Sequence, residues 1–200
     1  MSSSLTSHND ASLWRLLKQG DKIAFEALYR KYIGDLLHYG ERMGMEEEAL
    51  KDLVQDLFIE IWKSRERIKE MDHVKFYLFK ALRYKIIRYH HRNHVPEPLS
   101  QEWMGAEESV EHRITHAEQE GLTAKHLQQA IARLPKRQQE IIHLRFFQGF
   151  SNQDIASLMN LQYQSATNLI HRSLKAMRAY LQEPVLHLLW AALLTLRLIP

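Results

Sequence analysis

Cysteine is absent from the 200-residue chain. No disulfide framework, thiolate zinc site or thiol nucleophile is therefore available, which fits a reducing compartment. Glycine and proline are scarce, seven and five, too few for a turn-rich β protein. The opening Met1-Ser-Ser-Ser-Leu-Thr-Ser has neither the basic start nor the apolar centre of a secretory signal, so a cytoplasmic protein is expected. Also missing are a Gly-rich phosphate loop, a dinucleotide fingerprint, a catalytic pair of carboxylates and any internal repeat. Neither an enzyme nor a cofactor or small-molecule substrate is expected. The net charge is only +3, so information about partners must lie in how charge is distributed along the chain.

What is present is helical periodicity, and the fold class expected is all-α, with two small helical domains. Hydrophobic residues make up 45% of the chain, sufficient for real cores. Asp10 or Ser12 is expected to cap a short helix carrying Leu13, Leu16 and Leu17, ended by Gly20. Asp21 caps a longer one with Phe25, Leu28, Tyr32, Ile33, Leu36 and Leu37 on its stripe. The third helix has the cleanest pattern: Leu50, Leu53, Val54, Leu57, Phe58, Ile61 and Trp62 recur at the three-and-four spacing of a buried face. Its opposite face shows Lys51, Asp52, Gln55, Asp56, Glu60 and Lys63. Ser64–Met71 reads as a loop, and Asp72 caps a fourth helix with its seam through Val74, Leu78, Ala81, Leu82, Ile86 and Tyr89. Residues 10–93 are thus expected to form a four-helix N-terminal domain, and residues 94–121 an acidic linker. A C-terminal helix-turn-helix domain is expected over 122–182, and an apolar tail over 183–200.

Charge separates along these segments. Residues 73–94 carry Lys75, Lys80, Arg83, Lys85, Arg88 and Arg92 with no carboxylate, interleaved with Phe76, Tyr77, Phe79, Tyr84 and Tyr89. Tyr84 and nearby Phe79 on the exposed face suit base stacking while the cations follow a backbone. Core aromatics beside a solvated basic face are the plainer alternative. Residues 95–120 hold seven Glu against Arg113 alone. The linker's later part is expected to run helically into Leu127, Ala130, Ile131 and Leu134, with Pro135 as a first-turn proline. Ile141, Ile142, Leu144, Phe146 and Phe147 then supply a compact core before Gly149 breaks the helix.

Ser151 and Asp154 have the spacing of a capping box. A short helix with Ile155, Ala156 and Leu158 follows, and Asn160 tolerates the left-handed backbone of a tight turn. A second helix from about Tyr163 to Tyr180 buries Ala166, Leu169, Ile170, Leu174 and Met177. Its outward positions, Gln164, Ser165, Asn168, Arg172, Lys175 and Arg178, offer base-reading amides and phosphate-holding cations. No acid occurs from Ile155 to Gln182, which avoids repelling phosphate. An ordinary helical hairpin with a basic solvated face is the competing reading.

Taken in order, these pieces resemble the extracytoplasmic-function group of bacterial RNA polymerase sigma factors. The resemblance covers roughly residues 20–180. It rests on Phe25-Glu-Ala-Leu-Tyr29, Asp52-Leu-Val-Gln-Asp-Leu-Phe58 with Trp62, Tyr77-Leu-Phe79, Leu134-Pro135, and Gly149-Phe-Ser-Asn-Gln-Asp-Ile-Ala156 followed by His171-Arg172. It implies that Asp52, Gln55 and Asp56 contact the clamp of core RNA polymerase. It also implies that the Ser64–Val74 loop takes a flipped promoter base, with Lys75, Lys80, Arg83, Tyr84, Lys85 and Arg88 on the adjacent minus-ten DNA. Gln164, Ser165, Asn168, Arg172 and Lys175 would read the minus-thirty-five element. The acidic linker would thread the polymerase, and an anti-sigma protein is a further implied partner. The chain departs from the family at Tyr84, where Asn is frequent, at Arg88, where Asp is frequent, and at Ala166, where Val is frequent.

Two weaker signals remain. His90/His94 and His112/His116 have helical-ligand spacing, but no HExxH motif or cysteine joins them, and no metal is expected. The 184–200 stretch is apolar nearly all round yet short, with His187 and Arg197 inside it. It is read as a helix packed on its own domain or on a partner. Two rival readings stay open at this stage: a helix-turn-helix regulator acting without polymerase, and a membrane-tethered interaction protein. The acid-amide face of the third helix speaks against the first, which has no use for it.

Overall fold

The computed structural model describes residues 9–92 and 126–181. The linker, the apolar tail, His94 and the His112/His116 pair fall outside the described residues. The helices are α1 (Asp10–Lys18), α2 (Lys22–Arg42), α3 (Glu47–Ser64) and α4 (Val74–Arg92), then α5 (126–132), α6 (Lys136–Ile142), α7 (Asn152–Leu158) and α8 (Tyr163–Tyr180). Among the described residues there is no strand, and no helix is long and apolar enough to cross a membrane.

In the first unit α2 is the central element, with α1, α3 and α4 packed on it. The Asp21 carboxylate accepts from the N–H groups of Ile23 (2.7 Å) and Ala24 (3.1 Å), satisfying two of the open donors at the start of α2. Asp10 does not cap α1. Asn9 holds the cap position without a side-chain hydrogen bond, because the Asp10 carboxylate reaches across to α2, accepting from Lys31 Nζ at 2.5 Å and from the Tyr32 hydroxyl. Likewise His73, not Asp72, precedes α4, its carbonyl accepting from the Tyr77 N–H at 3.1 Å.

The expected face of α3 is inside: Leu50, Val54, Leu57, Phe58 and Ile61 are buried. Leu50 lies so near α2 that a Cβ on Gly40 would sit 2.2 Å from its Cδ1. Only glycine permits that approach. Phe25 packs edge-on against Phe58 and tilted against Trp62, with ring centroids 6.1 and 5.1 Å apart.

In the second unit α5 and α6 support the α7–α8 pair. Buried Gln139 donates from Nε2 to the carbonyls of Ala132 (3.1 Å) and Leu134 (2.7 Å), closing the end of α5. Pro135 stands at the cap position before α6, one residue earlier than expected. After Ile142 the backbone widens into a π-helical turn, His143–Phe147, in which the Gln148 N–H reaches the His143 carbonyl at 3.0 Å. The extra residue rotates the following side chains. Phe146 and Phe147 are consequently 42% and 52% exposed rather than in the core, whereas Ile141, Ile142 and Leu144 are buried. Gly149 leaves the turn at φ +72°.

The two units are packed together, α4 against α7 and α2 against α6. Phe150 inserts between them, with ring centroids 5.2 Å from Phe79 and 6.2 Å from Phe76. Phe79 is fully buried there, which removes it from the exposed stacking surface expected of α4.

Candidate nucleic-acid interface

Three candidate surfaces lie on this scaffold, and they differ in how accessible they are. The first is α8. The capping box forms as the spacing implied: Asp154 N–H donates to Ser151 Oγ (3.1 Å) and Ser151 N–H donates to Asp154 Oδ2 (3.1 Å). Asn160 takes φ 53° in the turn to α8. Ala166, Leu169, Ile170, Ser173 and Met177 face inward, the Ser173 hydroxyl donating to the Leu169 carbonyl at 2.8 Å. Leu174 is only half-buried.

Gln164, Ser165, Asn168, Arg172 and Lys175 all point outward and are exposed. Gln164 Nε2 donates to Asn168 Oδ1 at 3.2 Å, aligning two amides along one face. Tyr163, 52% exposed at the start of the helix, joins this surface. Sequence reasoning left it out, although its place one residue before Gln164 was visible.

The second surface is α4, and much of it is engaged. Arg83 is buried: its Nε donates to Glu140 Oε1 on α6 at 2.9 Å. The Tyr39 hydroxyl donates to the same oxygen at 2.7 Å. Burial, reinforced by Glu140, holds the Tyr39 pKa well above its ordinary value, so the phenol stays protonated as a donor. Burial opposes the charge on Arg83, but Glu140 and Tyr39 outweigh it and the guanidinium pKa is raised.

Lys75 Nζ donates to the Gln148 carbonyl at 3.0 Å and lies 3.8 Å from Asp35 Oδ2. Lys80 Nζ donates to Ser157 Oγ at 3.3 Å, and Lys85 Nζ pairs with Glu60 on α3 at 2.7 Å. Tyr84 is 66% exposed. With Ile87, Arg88, His91 and Arg92 it lines a shallow open hollow on the outer face. The loop before α4 is fixed by buried Trp14, whose Nε1 donates to the Lys69 carbonyl at 3.0 Å. In the sequence Trp14 is one more apolar residue among the leucines of α1 and carries no separate signal.

A third face lies on α3. Asp52, Gln55 and Asp56 are exposed, and none has an ion-pair or side-chain hydrogen-bond partner among the described residues. Ile59, 39% exposed, continues the same stripe three residues on. An apolar residue at a polar position was the signal that could have identified it. Among the described residues no cluster of His, Asp or Glu could hold a metal ion.

Comparison with known proteins gives these surfaces a context. Residues 28–94 match the family described as Sigma-70 region 2, and residues 125–177 match Sigma-70, region 4. The RNA polymerase sigma factor YlaC of Bacillus subtilis (strain 168) is 24% identical over 165 residues, covering 78% of this chain and 90% of that protein. The sigma factor RpoE, solved with the anti-sigma factor NepR from Bartonella quintana, superposes with a TM-score of 0.61 at 19% identity. It covers 80% of this chain and 98% of its own. CnrH, solved in complex with the cytosolic domain of CnrY, has a TM-score of 0.59 at 19% identity, over 87% of this chain and 97% of its own. The two structural likenesses establish the fold.

Proposed function

The chain belongs to the sigma-70 family, as an alternative sigma factor of the extracytoplasmic-function kind that directs transcription initiation, and from that premise we propose how its residues divide the work. The α3 stripe of Asp52, Gln55, Asp56 and Ile59 docks on a basic surface of core RNA polymerase. An uncommitted acid-amide face around one apolar anchor suits such a partner. The loop over 65–73, held by Trp14, and the α4 residues Lys75, Lys80, Tyr84, Lys85 and Arg88 engage the minus-ten element, while Arg83, buried against Glu140, anchors the helix behind them. There Tyr84 supplies a ring for stacking on an unpaired base and the cations hold phosphates. The α8 face reads the minus-thirty-five duplex, with Gln164 and Asn168 suited to adenine edges and Arg172 and Lys175 to phosphate or guanine.

The observation that carries this division is placement. The partner-free α3 face and the aromatic-basic helix share one unit, while the acid-free helix belongs to the other. RpoE was solved with the anti-sigma factor NepR, which supports an anti-sigma protein as a partner of this chain too, and action on core RNA polymerase supports a cytoplasmic location. Retention on immobilised core polymerase tests the assignment. Wild type is retained, and the Asp52→Ala/Gln55→Ala/Asp56→Ala variant loses at least about tenfold in affinity, the scale of one interface hot spot. Equal retention of both proteins would remove the α3 face from the account.

A further inference from the structure

Ala166 and Ser173 are fully buried, and Leu169, Ile170 and Met177 are buried beside them, which sets the roll of α8 about its axis. Asn152 Nδ2 donates to Thr167 Oγ1 at 3.4 Å and ties the first turns of α8 to α7. Positions 164 and 168, neighbours one turn apart, thus stand on a seated helix. Both side chains are exposed, and Gln164 Nε2 donates to Asn168 Oδ1 at 3.2 Å. That bond makes two chemically equal groups unequal. An amide has one carbonyl oxygen and two N–H donors. Gln164 uses one donor on its neighbour and keeps Oε1 and the second N–H, the acceptor and donor that match N6 and N7 of adenine. Asn168 has Oδ1 engaged, so it presents the two N–H donors of Nδ2. Donors match a keto base, through O6 and N7 of guanine or O4 of thymine. Turning the Asn168 amide alone would set its N–H groups against those of Gln164.

We propose that Gln164 and Asn168 form one coupled reader in the major groove, Gln164 selecting adenine and Asn168 a keto base close by. Four residues of helix rise about 6 Å, so the two bases lie within one or two steps of each other. The proposal rests on the assignment of α8 to the minus-thirty-five duplex and goes beyond it by naming the bases read and the bond that selects them. Because a single hydrogen bond orients both amides, the two preferences stand or fall together.

Selection by the full-length protein from a random-sequence DNA duplex library tests this, with wild type, Asn168→Asp and Gln164→Met compared. Both positions are exposed, so neither substitution touches the core. Wild type should enrich adenine at one position and guanine or thymine within two pairs of it, each at least about fivefold over the disfavoured bases. In Asn168→Asp the carboxylate still accepts from Gln164, but the outward donors are gone. Adenine should stay, and the keto base should give way to cytosine, whose N4 amino group donates. Gln164→Met should abolish the adenine preference and also free the Asn168 amide to turn, admitting adenine at the second position. That second effect falls on a base Gln164 does not contact, so simple loss of a contact cannot produce it. Gln164→Met altering one position alone overturns the coupling. A keto preference that survives Asn168→Asp, or an adenine preference lost in it, overturns the assignment of bases. Neither result touches the placement of α8 on duplex DNA. No enriched sequence with wild type would overturn that placement, and the paired reader with it.

Discussion

Acidification should weaken this protein through one ring, His143. The imidazole is 4% exposed and lies between the rings of Tyr39 and Phe147, with centroids 6.2 and 5.5 Å away. Gln148 Nε2 is 3.1 Å from its Nε2. Burial, then the charges of Arg42, His38 and Lys75, lower its pKa from 6.5 to about 4.

A base whose pKa is lowered on folding stabilises fully above its unfolded value and progressively less as pH falls toward the folded value. The window is therefore about pH 6.5 down to about 4. At roughly 1.36 kcal/mol per unit, the whole window is worth about 3 kcal/mol, and the part between pH 7 and pH 5 about 2 kcal/mol. Urea unfolding of wild type and His143→Gln at several pH values, with an NMR titration of the imidazole, measures it. Wild-type stability should fall by about 2 kcal/mol more than that of the variant between pH 7 and 5. Parallel pH profiles, or a ring titrating near 6.5, would refute the reasoning.

Gly40→Ala should cost up to about 2 kcal/mol net in urea unfolding. The new methyl would sit 2.2 Å from Leu50 Cδ1 in a filled core, an overpacking of about 1–3 kcal/mol only partly offset by about 1 kcal/mol of helix propensity. A variant as stable as wild type would show that Leu50 has room to move. Arg172→Ala and Lys175→Ala, both exposed on α8, should each weaken duplex binding and lower the salt-dependence slope by about one. An unaltered slope removes them from the phosphate contact.

Local features were open to reading because local physics sets them. The α3 face follows from a repeat that one sequence displays in full, and its five fully buried residues all lie on that repeat. The Ser151 box, Asn160 at positive φ and the outward residues of α8 follow from chemistry within a few positions. What stayed hidden depends on distant partners. Nothing near Glu140 indicates that Arg83, 57 residues earlier, and Tyr39, 101 residues earlier, will share its oxygen. The burial of Phe79 and the engagement of Lys75 and Lys80 come from the same contact between units. Phe146 and Phe147 were misplaced for a nearer reason: a helical period of 3.6 assigns faces correctly only until the backbone widens by one residue.

Run-off transcription with purified core RNA polymerase on a library of promoter fragments tests the central claim most directly. The account predicts that adding the full-length protein yields discrete transcripts that core enzyme alone does not make. It also predicts that these are lost with the Asp52→Ala/Gln55→Ala/Asp56→Ala variant. Transcripts no different from those of core enzyme alone would contradict it.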